Sequence, residues 1–80
     1  MRELVFTIVS NVMEVPVEHV AEDSSPDSIA NWDSLKHMNL ILALENEFEV
    51  MFSDEQIIEL NTVRKIIAAL EELVAEAKRN

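Results

Sequence analysis

Apolar residues in this chain recur with the period of a helix, and nowhere with the strict alternation of a strand. Leu4, Val5, Ile8, Val9, Val12 and Met13 share one face, with Arg2, Glu3, Asn11 and Glu14 off it. This spacing predicts a first helix over about residues 2–14, ended by Pro16, because the residue before a proline is pushed out of the helical region. Residues 17–33 lose the period. They form an unusually long predicted connection with Pro26, three serines and several acids, which Val17, Val20, Ile29 and Trp32 are expected to pin to the helices. Pro26-Asp27-Ser28 is a signal for a short helical turn within it. Trp32, the only tryptophan, is expected to anchor the chain two positions before Ser34.

A second helix is predicted from about Ser34 to Glu49. Leu40, Ile41, Leu44 and Phe48 make its core stripe, whereas Leu35, Met38 and Leu42 lie on the other side of Ser34. Together they span about twice the roughly 100° of apolar arc that a surface helix needs. The long connection is expected to cover part of the excess and a partner enzyme the rest, with Met38 and Leu42 as adaptable contacts; burial of Met38 is the competing expectation. Phe52-Ser53-Asp54-Glu55-Gln56-Ile57 reads as a helix start, with Ser53 as N-cap, Gln56 closing a capping box and Phe52 stapled on Ile57. A short third helix over residues 54–59 follows. Thr62 is the expected N-cap of a last helix, in which Val63, Ile66, Ile67, Leu70, Leu73, Val74 and Ala77 repeat at helical spacing. Lys78 and Arg79 suit its negative end, while Arg64 and Lys65 near its start do not, unless they pair with acids of the long connection. The prediction is one all-α domain over residues 1–80, a small up-and-down bundle of three long helices and one short helix, with a long loop between helices one and two. Leu40, Leu44, Ile57 and Ile66 would line its interior, around a cavity or in ordinary close packing.

Composition adds constraints. Of 80 residues 49% are hydrophobic, enough for a core, and the absence of cysteine leaves helix packing to supply stability without a disulfide or thiolate metal site. The apolar runs are too short to cross a membrane. Glu3, Ser10 and Asn11 interrupt what would be a signal peptide's apolar core, so a cytoplasmic location is expected. Net charge is −10, and residues 14–59 hold twelve acids against one base, Lys36. Such a surface repels nucleic acid and anionic membrane and attracts proteins with basic patches. A monomer is expected.

Ser34 carries the candidate chemistry. At a helix start it lies beside unpaired backbone N–H groups and the positive end of the macrodipole, where a phosphate ester would be stabilised, and Asp33 is a good N-cap for the same turn. A hydrolase would use Ser34 as nucleophile and His37, one turn on, as base. That reading lacks a glycine-rich segment for a strained elbow or oxyanion hole. A calcium loop would use Asp23, Ser25 and Asp27, but Ser28 stands where the turn needs glycine and Ser34 where it needs a bidentate glutamate.

Asp33-Ser34-Leu35, the Leu40, Leu44 and Phe48 spacing, Phe52-Ser53-Asp54-Glu55 and the final helix together resemble the acyl carrier protein family over nearly the whole chain. The resemblance implies a helical bundle, no catalytic activity of its own, and a covalent 4'-phosphopantetheine on Ser34, flanked by Asp33 and Leu35, whose thiol carries acyl cargo. It also implies partners: a phosphopantetheinyl transferase and acyl-loading and acyl-processing enzymes, met through Lys36, His37, Met38, Leu42, Glu45 and Glu47. Asn31-Trp32 replaces the Gly-Ala that usually precedes the motif in fatty-acid synthesis, and Lys36-His37 replaces acids that commonly follow it. These departures imply the same modification with a different partner set, in a specialised pathway. A peptidyl or aminoacyl carrier, and an acidic helical adaptor without a cofactor, stay open beside this reading.

Overall fold

The computed structural model describes residues 1–78, so Arg79 of the expected basic helix end lies outside the described residues. Four helices, α1 Arg2–Met13, α2 Ser34–Phe48, α3 Asp54–Glu59 and α4 Val63–Ala77, and a 3-10 turn at Val17–His19 make up its regular structure, with no strand among the described residues. The all-helical bundle with one short helix is as expected. Its interior is built by Val5, Ile8, Val9 and Met13 of α1, Leu40, Ile41 and Leu44 of α2, and Val63, Ile66 and Leu70 of α4. Phe52 and Leu60, on either side of α3, join it. Leu4, assigned to the apolar face of α1, is exposed.

The helices start where side chains satisfy their first N–H groups. Asp33, Ser53 and Thr62 accept from the N–H of Lys36, Gln56 and Lys65, and the Ser53–Gln56 capping box is complete. They stop differently from the expectation. α1 ends at Met13 and α2 at Phe48, one residue early in each case, because Glu14 (φ 58°) and Glu49 (φ 54°) turn into the left-handed region. Glu14 and Val15 both donate to the Ser10 carbonyl, so α1 closes before Pro16 acts.

The long connection is ordered by its own turns and by α4. Val20, Ile29 and Trp32 enter the core as expected, Val17 stays exposed, and the Ile29 N–H donates to Ser25 O across the turn at Pro26-Asp27-Ser28. At its middle, Ser24 O and Glu22 O accept from the N–H groups of Val63 and Arg64 (3.1 and 2.8 Å). With Lys65 N–H on Thr62 Oγ1, the first three residues of α4 all have acceptors for N–H groups that the helix itself cannot satisfy. Glu22 also holds Arg2 (3.1 Å) and lies 4.0 Å from Arg64, which accounts for a base at this helix start; Lys65 pairs instead with Asn61.

Candidate functional site

Asp33 is extended (φ −102°, ψ −174°), and the turn into α2 follows from its two acceptors. Its carboxylate takes the Lys36 N–H and its carbonyl the His37 N–H, each at 2.8 Å. No described group accepts from the N–H groups of Ser34 and Leu35, and Ser34 is exposed. The hydroxyl therefore stands at the positive end of a helix with open backbone donors beside it, the environment an anionic ester requires.

Beside Ser34 lies a groove of about 510 Å³. Pro26 and Trp32 of the loop form one wall, Asp33, Ser34, His37 and Met38 the floor, and Ile57, Ile58 and Asn61 the other wall. Of the four residues expected to line a cavity, Ile57 alone reaches this groove. Leu40, Leu44 and Ile66 are fully buried in the bundle interior, each at 0% exposure, so close packing accounts for them.

His37 crosses the floor of the groove. Its Nδ1 lies 3.0 Å from Trp32 Nε1 and its Nε2 lies 2.7 Å from the Ile57 carbonyl. The indole N–H can only donate, so Nδ1 accepts and Nε2 carries the proton that goes to Ile57 O. Both ring nitrogens are committed. This leaves Ser34 without a base, and the hydrolase reading loses its second member. Among the described residues no group of His, Cys, Asp and Glu could hold a metal ion, and His19 is an exposed loop residue.

The remaining expected contact residues separate. Leu35 (71% exposed), Met38 and Leu42 all remain exposed, so the long connection leaves most of the excess apolar arc open, and only Met38 shares the groove with its residues Pro26 and Trp32. Met51 (82%) and Ile58 (78%) extend the exposed apolar surface beyond what the helical period revealed. Ile58 lines the groove beside Ile57 and still stays exposed, because the groove is open to solvent. Lys36 is held by Glu14 (3.1 Å), Glu45 accepts from the Phe52 N–H (2.9 Å) and so fixes the turn after α2, and Glu47 is exposed.

The phosphopantetheine attachment site family matches residues 3–70. Among curated relatives, the acyl carrier protein of Buchnera aphidicola is 38% identical over 75% of this chain and 76% of its own length. That of Thermosynechococcus vestitus is 37% identical over 91% of this chain and 90% of its own length, and that of Streptomyces coelicolor 36% identical over 91% and 79%. The solution structure of holo acyl carrier protein from Geobacter metallireducens has the same fold, with a TM-score of 0.85 at 24% identity over 99% of this chain and 92% of that one. No described helix is long and apolar enough to cross a membrane.

Proposed function

We propose that this chain, which belongs to the acyl carrier protein family and takes a covalent 4'-phosphopantetheine, carries that arm on Ser34 and serves enzymes of a dedicated biosynthetic pathway. The observation that carries the reading is Ser34 itself, exposed at the first position of α2 beside an open groove. When bound, the arm supplies a thiol that holds acyl groups as thioesters. The protein's own residues have simpler tasks. The Ser34 Oγ attacks the diphosphate of coenzyme A in the active site of a transferase, its proton passing to that enzyme and adenosine 3',5'-bisphosphate leaving. The N–H groups of Ser34 and Leu35, at the positive end of α2, would stabilise the anionic phosphodiester that results. Trp32, Met38, Ile57 and Ile58 offer apolar surface along which the arm can lie.

Exposed Leu35, Met38 and Leu42 form the docking face of α2, inside an acidic surround that draws partners with basic patches. Glu47 belongs to that surround, whereas Glu45 and Lys36 act first within the chain through Phe52 and Glu14. A partner set of its own is supported by the approach to Ser34. Asn31 donates to the Met13 carbonyl (2.8 Å) and Trp32 is buried, so side chains fix a segment that glycine would leave pliable. The test is the intact mass after incubation with a promiscuous phosphopantetheinyl transferase, magnesium and coenzyme A. The native chain is expected to gain one phosphopantetheine, and folded Ser34→Ala none. A folded native chain that gains nothing, beside a known carrier that does, would overturn the reading in favour of an acidic adaptor.

A further inference from the structure

Of the four helices, α3 is the least held by packing. None of its residues is buried, and it is fixed from outside by Phe52 and Leu60 at its ends. It is too short to satisfy its own carbonyls: the Leu60 N–H closes on Gln56 O and the Asn61 N–H turns back to Glu59 O, which leaves Ile57 O to a side chain from elsewhere. His37 is that side chain. The same imidazole receives the indole N–H of Trp32, 3% exposed, edge to edge, with the two rings 22° from coplanar and their centroids 6.2 Å apart. One residue, a single helical turn after Ser34, thus joins the loop wall, the floor and the α3 wall of the groove.

We propose that His37 is a positioning residue for the arm: by linking Trp32 to the Ile57 carbonyl it holds α3 as the far wall of the groove, and cargo on the arm is sheltered from water against that wall. The proposal rests on attachment at Ser34 and adds what keeps the shelter in place. An apolar acyl group leaving water for Trp32, Ile57 and Ile58 gains free energy only while those surfaces stay within reach of one another. Without the bond to Ile57 O, the middle of α3 is held at the groove only through Phe52 and Leu60 at its ends.

The experiment uses octanoyl-coenzyme A as donor, so that the transferase installs an octanoylated arm in one step, and follows cleavage of the thioester by hydroxylamine. Wild type is expected to be cleaved about three- to tenfold more slowly than octanoyl-pantetheine free in solution, the ratio corresponding to one hydrogen-bond-sized stabilisation of the closed groove. His37→Leu, of similar volume but without a donor, is expected to return most of the way to the free rate. His37→Gln, whose amide can still donate to Ile57 O, is expected to stay within about twofold of wild type. In the unmodified wild type, the imidazole nitrogen shifts should report a single tautomer with the proton on Nε2. Equal cleavage of wild type and free thioester, equal cleavage of wild type and folded His37→Leu, or the opposite tautomer would each overturn the latch. If His37→Leu fails to fold, the wild-type rate, the Gln variant and the tautomer still decide it. A chain that gains no octanoyl arm fails at the mass measurement, which separates failure of the carrier reading from failure of the latch.

Discussion

Replacing Glu49 by glycine is expected to stabilise the protein by about 1 kcal/mol, through a strain the chain carries because it has no glycine. Glu49 sits at φ 54°, ψ 49° and closes α2 by donating to Glu45 O. A side chain in that region costs about 1–2 kcal/mol, and glycine returns roughly 0.5–1 kcal/mol of this as extra freedom of the unfolded chain. The carboxylate is also misplaced. It lies at the negative end of the helix dipole, on a helix that already carries Glu45 and Glu47, and its removal adds a few tenths of a kcal/mol at low salt. In a domain of this size the sum raises Tm by about 4–8 °C. Glu49→Gln separates the two causes, since it removes the charge and keeps the strained backbone. Urea unfolding followed by Trp32 fluorescence and helical circular dichroism should show the Gln variant gaining little, and losing even that in about 0.5 M salt, while the Gly variant keeps its advantage. Equal stability of the two at high salt would refute the strain argument.

Leu44→Ala, at a site with 0% exposure, is expected to cost about 2–5 kcal/mol, a large share of the stability of a small domain, whereas Leu42→Ala on the same helix should stay within about 0.5 kcal/mol while raising the KM of a partner enzyme. Thr62→Ala, which removes the acceptor of the Lys65 N–H, is expected to cost about 1 kcal/mol by thermal unfolding. Association with a partner that bears a basic patch should slow steeply with ionic strength in stopped-flow measurements, because the net charge of −10 acts over the whole approach.

Helix starts were legible because their signals are local: Asp33, Ser53 with Gln56, and Thr62 each announce themselves by residue type and all three make the expected bonds. The ends at Glu14 and Glu49 were not, since a left-handed cap is normally marked by glycine and glutamate gives no such mark. The motif announced Ser34 as the exposed first residue of α2, and the size of Trp32 announced a buried anchor. His37 was open to misreading. Its spacing from Ser34 suggests a base, while its actual partners are Trp32 in the loop before the helix and the Ile57 carbonyl twenty positions along the chain, neither of them given by a helical period. The exposed Leu35, Met38 and Leu42 surface shows the limit from the other direction, because periodicity identifies a second apolar face without saying whether the protein covers it.

The docking of the long loop on α4 has a consequence for measurement. First-turn amides of a helix ordinarily exchange with solvent fast, having no carbonyl to hold them. Val63 and Arg64 are bonded to Ser24 O and Glu22 O, so their deuterium uptake times the detachment of a segment remote in sequence, while Ile66, bonded to Thr62 O within its own helix, reports the opening of α4 itself. Two adjacent amides thus serve as a clock for the loop that leads into Ser34. Comparing their uptake in the free chain and in the presence of a transferase would show whether the enzyme meets the loop docked or has first to wait for it to lift.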